Sequence, residues 1–80
     1  MTYYEFSISP VSYQIALTIA DGIEIAQRQE EAYDVKLYYL PDNFFVELYR
    51  TRYTNVTTKM RSFKEPVWLE QYASNVQLPY

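Results

Sequence analysis

Apolar and polar residues alternate in three segments of the second half of the chain. They are "YDVKLYYL" (residues 33–40), "FFVELYRT" (44–51) and "VTTKMRSF" (56–63). A period of two marks β-strands, and the Val, Tyr, Phe and Thr in these segments favour them. "PDN" at 41–43 separates the first two strands. Pro sets one turn torsion there, and Asp and Asn tolerate the others. "RYTN" (52–55) turns the chain again before the third strand. Short loops between consecutive strands predict an antiparallel meander. The pattern changes in "KEPVWLEQYASNVQLP", where Trp68, Leu69, Tyr72 and Val76 fall on one helical face. Pro66 suits a first helical position, Asn75 an end, and Pro79 prevents continuation, so a short helix over about residues 66–75 is predicted.

One stretch supports two patterns. In "IALTIADGIEIAQRQ" (15–29), Ile15, Ile19, Ile23 and Ala26 form a stripe at helical spacing. Ser9 and Pro10 would then open the helix, and Gly22 would sit inside it or cap its end in a left-handed conformation. Read as strands, Ile15, Leu17 and Ile19 alternate with smaller residues, and Asp-Gly signals a hairpin. A three-residue loop, Ala20-Asp21-Gly22, aligns Ile19 with Ile23 and Leu17 with Ile25, with the chain's one glycine at a positive φ. The hairpin accounts for more positions. In the hairpin, or in a helix that ends at Gly22, the half after Gly22 is extended, and the expectation is that at least this half is.

The expected architecture is a single α+β domain spanning residues 1–80. It has an antiparallel β-meander of three to five strands and a short C-terminal helix packed on one face. The pattern "VKLYYLPDNFFVELYR" at 35–50, followed by "RSF" at 61–63 and "LEQY" at 69–72, resembles a group of small bacterial proteins of uncharacterised function. The resemblance covers about residues 22–75. It implies a strand, a turn and a strand, then a short C-terminal helix. In that group a Gly- or Asn-bearing hairpin turn follows the second strand, whereas "TRYTN" here has no glycine. The group carries no activity, so the resemblance implies no functional residue.

Composition narrows the chemistry. The 80 residues include no Cys and no His, which removes disulfides, thiolate and imidazole metal ligands, and most nucleophilic triads. A single glycine leaves no phosphate-cradling loop. No cofactor is called for, and the expectation is a protein that is not an enzyme. A formal charge of −3 disfavours nucleic acid, whose binding rests on Lys and Arg meeting phosphates. No stretch approaches the roughly 20 apolar residues of a membrane span, and "MTYYEFSISP" lacks a basic, then apolar, signal pattern. The expected setting is cytoplasmic. Asn55-Val56-Thr57 matches a glycosylation acceptor only by coincidence in that setting. Glu30, Glu31 and Asp34 read as a solvated acidic turn rather than a cation site, which would need six or more oxygens in a shaped loop. Ser62 and Lys64 offer a Ser–Lys pair that nothing in the spacing recommends.

Hydrophobic parity divides the meander into two faces. Val35, Leu37, Tyr39, Val46, Leu48 and Met60 are assigned to a core face. Lys36, Tyr38, Phe45, Glu47, Tyr49, Lys59 and Arg61 are assigned to the other. That second face has two readings: ordinary cross-strand pairs facing water, or an interface rich in Tyr, Phe and Arg. The candidate interaction surface is therefore Lys36, Tyr38, Phe45, Glu47, Tyr49 and Arg61. Glu47 is the one carboxylate considered for acid–base work, but flanking cations would hold it ionised and make it a poor general acid. One helix can cover one sheet face, which leaves Tyr38, Phe45 and Tyr49 in water unless "TYYEFSI" folds over them. The expected function is a self-associating, non-enzymatic interaction or accessory protein, with a homodimer as the commonest form. The alternative is a small module binding a ligand or single-stranded nucleic acid on its rings.

Overall fold

A computed structural model describes residues 1–64 of the chain. The helix expected over about 66–75, with Trp68, Leu69, Tyr72 and Val76, lies outside the described residues. Two helices, α1 (Tyr3–Ser7) and α2 (Val11–Asp21), precede four strands: β1 (Ile23–Gln29), β2 (Tyr33–Leu40), β3 (Phe44–Thr51) and β4 (Thr57–Phe63). The strands form one antiparallel sheet in the order β1-β2-β3-β4, the expected α+β meander.

α1 is too short to persist alone, and three local devices hold it. Thr2 Oγ1 accepts from the Glu5 amide at 3.1 Å while Glu5 Oε1 accepts from the Thr2 amide at 2.8 Å, a reciprocal capping box. The Tyr3 amide donates to Asp42 Oδ2 at 2.9 Å, which ties the helix to the β2–β3 turn. Phe6 is fully buried, with its ring centroid 5.0 Å from that of Phe44. Burying such a ring contributes about 1.5–3 kcal/mol.

Residues 15–21 are helical, which overturns the hairpin reading, while residues 23–29 are extended as expected. Pro10 stands at the N-cap of α2, and the Ser9 hydroxyl donates to the Glu5 carbonyl at 2.8 Å instead of capping α2. The expected Ile15–Ile19–Ile23 stripe is not the buried one. Gln14 and Thr18 point inward, while Ile19 and Ile23 are exposed. Local hydrogen bonds make these polar positions tolerable inside. The Gln14 amide nitrogen is shared among the carbonyls of Phe6 (2.6 Å), Ser7 (3.2 Å) and Ser9 (3.0 Å), so it caps the end of α1. Thr18 Oγ1 donates to the Gln14 carbonyl at 2.8 Å. Ile15 and Leu17 flank them and pack on the sheet.

Gly22 is not left-handed: its φ is −78°. Glycine is required there by space. A Cβ on Gly22 would lie 2.5 Å from the Thr18 carbonyl oxygen and 3.1 Å from Cβ of Tyr38. The helix-to-strand corner is thus closed by an approach that only a missing side chain permits. The left-handed positions fall elsewhere, at Asp42 (φ 76°), Asn43 (φ 59°) and Asn55 (φ 57°). Asn55 answers the question posed by the glycine-free "TRYTN": an Asn takes the left-handed place.

The sheet register corrects the division of faces. Leu40 pairs with Phe44, so Leu37 lies opposite Glu47 and Tyr39 opposite Phe45. Paired residues point to the same side. Val35, Leu37 and Tyr39 therefore share a face with Phe45, Glu47 and Tyr49, and with Lys59, Arg61 and Phe63 of β4. Lys36 and Tyr38 lie on the opposite face, with Leu40, Phe44, Val46, Leu48 and Met60. α1 and α2 cover this latter face: Phe6, Leu40, Phe44, Val46 and Leu48 form its core, with Tyr3, Ile15, Leu17, Tyr38 and Met60 against it. A second cluster on the other face joins Ala26, Leu37, Phe45 and Phe63.

Candidate functional site

The six residues expected to form one interaction surface do not share it. Phe45, Glu47, Tyr49 and Arg61 lie together, while Lys36 and Tyr38 are across the sheet. Nor does this face present its rings to water. Phe45 and Tyr49 are each 4 % exposed, and Tyr38 is half-buried against the helices. The expectation that Tyr38, Phe45 and Tyr49 stand in solvent is therefore corrected. β3 lies between two other strands, and its first six residues are buried on both sides.

A charge cluster sits within this face. The fully buried Glu47 carboxylate accepts from Arg61 Nε at 2.7 Å and from a second Arg61 nitrogen, and from Arg28 Nη2 at 3.2 Å. Cross-strand pairing places Arg61 opposite Glu47, and Arg28 reaches in from β1. Arg28 Nη2 also donates to the Tyr49 hydroxyl at 3.0 Å, and Arg28 Nη1 pairs with Glu30. Lys59 Nζ lies 4.7 Å from the centroid of the Tyr49 ring. Burial, reinforced by the Glu47 charge, pushes the Tyr49 hydroxyl above its ordinary pKa, and the Arg61 and Arg28 charges oppose that rise. The Arg28 guanidinium holds the Glu30 carboxyl below the usual range. Every charge here meets an opposite charge or a ring, as a structural cluster requires. Among the described residues, the groups around the Glu47 carboxylate are the Arg61 and Arg28 guanidiniums and the Tyr49 hydroxyl.

Other concavities lie among the described residues. A furrow of about 340 Å³ runs along Glu24, Ile25, Ala26 and Gln27 beside the bulge in β1, where the register shifts between Glu24 and Ala26. Another, of about 310 Å³, adjoins Gln27, Arg28, Gln29, Asp34 and Arg50. Beneath α2, a cavity of about 30 Å³ bounded by Leu17, Leu40 and Phe44 is water-sized. Among the described residues, no group of three or more carboxylates is placed to hold a metal ion, and Asp34 is paired with Arg52 at 3.3 Å. No helix among them is long and apolar enough to cross a membrane.

The surface that stands out is one the sequence reading passed over. From Phe6 to Ala20 the chain carries no charged residue, a run of fifteen positions. α2 lies within that run and is exposed along its outer side. Ser12, Tyr13, Ala16, Ile19 and Ala20 face away from the sheet over an arc of roughly 120° at helical spacing. Tyr13 is 48 % and Ile19 61 % exposed, and Val11, Ile8 and Tyr4, at and before the start of α2, are 58, 66 and 70 % exposed. A solvated helix normally turns charged residues outward. This one turns polar Gln14 and Thr18 inward and apolar residues outward. The signal was present in the sequence as the charge-free run. Comparison with known proteins finds no matching family model, no matching curated protein and no matching solved structure.

Proposed function

We propose that this is a non-enzymatic interaction or accessory protein that docks through the outer face of α2. The observation that carries this reading is the charge-free, largely apolar outer face of a helix that buries two polar residues, Gln14 and Thr18, on its inner side. Its exposed side chains present on the order of a few hundred Å² of apolar surface, the size of patch that is often functional. The surface fits protein better than lipid or nucleic acid. Residues 1–27 contain Glu5, Asp21 and Glu24 and no Lys or Arg. An interfacial helix bound to anionic lipid, or a surface bound to phosphates, would need cations there. Burial of Phe45 and Tyr49 weighs against the aromatic-face alternative, because base stacking needs open rings. A cytoplasmic setting belongs to the same reading, since a fold without Cys asks nothing of an oxidising compartment. Isotope-labelled protein placed in concentrated extract of its own host provides the test. Signals of Tyr13, Ala16, Ile19 and Ala20 should lose intensity while those of Tyr53, 89 % exposed on a distant turn, persist. Equal loss at both sites, or none, refutes the reading.

A further inference from the structure

We infer that the sheet face turned away from α1 and α2 is the docking surface for the chain's own residues 65–80, which cross it with Trp68 and Tyr72 against Leu37, Phe45 and Phe63. This surface is distinct from the α2 face proposed above. Burial on it exceeds what the described elements supply. Val35, Leu37 and Glu47 are fully buried there, and Phe45, Tyr49 and Phe63 nearly so. Both helices pack on the opposite face. Arg28 and Arg61 roof Glu47 at one end, but the other end is built of Ala26, Leu37, Phe45 and Phe63. Phe45 has rings beside it, with centroids 5.5 Å away for Phe63 and 5.4 Å away for Tyr39. Neighbours within a sheet shield the flanks of a ring and leave its outer edge to water. A buried outer edge needs a further layer above it.

Chain continuity names the occupant. β4 ends at Phe63, on this face, so the chain leaves the sheet beside the surface to be covered. Five residue steps lead from Phe63 to Trp68 and reach up to about 17 Å, while Leu37, two strands from β4, is about 10 Å away across the sheet. The helix expected over about residues 66–75 would be about 15 Å long, and the sheet from β4 to β1 is about 14 Å across. Its pattern has two sides, with Trp68, Leu69, Tyr72 and Val76 on one and Glu70, Ser74 and Gln77 on the other. Charge agrees. Arg28, Lys59 and Arg61 outnumber Glu47 on the face, while residues 65–80 carry Glu65 and Glu70 and no Lys or Arg. A segment so placed keeps the Phe45 and Phe63 rings closed to a base or a small ligand.

Nuclear Overhauser contacts in the isotope-labelled full chain test the inference. Trp68 is the one tryptophan, so its indole protons are unambiguous. Its ring, or that of Tyr72, should show contacts to the Leu37 methyls and to the Phe45 or Phe63 ring. Neither should contact the Val46 methyls, which lie in the core beneath the helices on the other face. A mixture of labelled and unlabelled chain should show none of these contacts between copies. Trp68→Ser should shift the Phe45 and Phe63 ring signals at least threefold more than those of Phe6 and Phe44, which belong to the helix-side core. Should Trp68→Ser fail to fold, the wild-type contacts decide alone. Contacts to Val46, contacts only between copies, or no contacts at all overturn the inference. So does a folded Trp68→Ser variant whose shifts are equal on the two faces.

Discussion

Replacing Glu47 by Gln keeps the shape of the side chain and removes its charge. The carboxylate is fully buried and accepts from two arginines on two different strands. Removing one partner from a buried ion pair costs about 3–5 kcal/mol, chiefly because the charge left behind is uncompensated. Two features favour the lower end. The Arg61 side chain is 33 % exposed and can recover hydration, and Arg28 keeps Glu30. The expected loss is therefore about 3 kcal/mol, a large share of the roughly 4–12 kcal/mol that stabilises a chain of this length. For a domain of this size, about 3 kcal/mol lowers Tm by roughly 12–24 °C. Thermal and urea unfolding measure both quantities. Glu30→Gln serves as the control: that carboxylate is 41 % exposed, so its removal should leave Tm nearly unchanged. A Glu47→Gln variant with Tm within about 3 °C of the parent, on the same scale, would refute the reasoning and show that the cluster's desolvation cancels its attraction.

Other perturbations probe the helical half. Gly22→Ala should destabilise by about 1–3 kcal/mol through the clash of its Cβ with the Thr18 carbonyl and Tyr38, and an unchanged urea midpoint would show that the corner relaxes freely. Gln14→Leu should cost about 1–3 kcal/mol, because the Phe6, Ser7 and Ser9 carbonyls lose their shared donor; hydrogen exchange should speed up in α1 before the sheet. Glu5 titrates below its ordinary value of 4.5, held down by hydrogen bonds to the backbone and side chain of Thr2. A lowered native pKa means that the capping contribution is present above about pH 4.5 and disappears as pH falls through the native value. Amide shifts of Thr2 and Glu5 should follow that titration, and Thr2→Val should move it back toward 4.5.

The meander was legible because alternation and turn chemistry agree. "PDN" supplies the left-handed Asp42 and Asn43, and the three strands either side of the two turns form where the pattern places them. Their mutual phase was not legible from hydrophobicity. β3 is buried on both faces, so matching apolar residues cannot decide which of its sides meets Val35 and Leu37. The loop length could have decided it: three residues between Leu40 and Phe44 pair odd positions with odd. That arithmetic separates Lys36 and Tyr38 from Glu47. The helix at 11–21 was hidden by Asp-Gly, which imitates a hairpin turn. Gly22 answers instead to Tyr38, sixteen positions away in the chain, and no local pattern records such a contact. The box formed by Thr2 and Glu5 was readable, since Thr-x-x-Glu is a helix-start signature. The outer face of α2 was readable as a charge-free run, but only the inward turn of Gln14 and Thr18 reveals that Ile19 faces out.

The central claim is that the outer face of α2 meets a protein. A photoreactive phenylalanine derivative at position 20, in cells that make the chain at native level, tests it most directly. Illumination should yield a discrete adduct, either at about twice 9.6 kDa for a second copy or at the mass of one other protein. The same group at position 53, which is exposed on a turn far from α2, should yield none. Absence of a discrete adduct at position 20, or identical adducts at both positions, would contradict the claim.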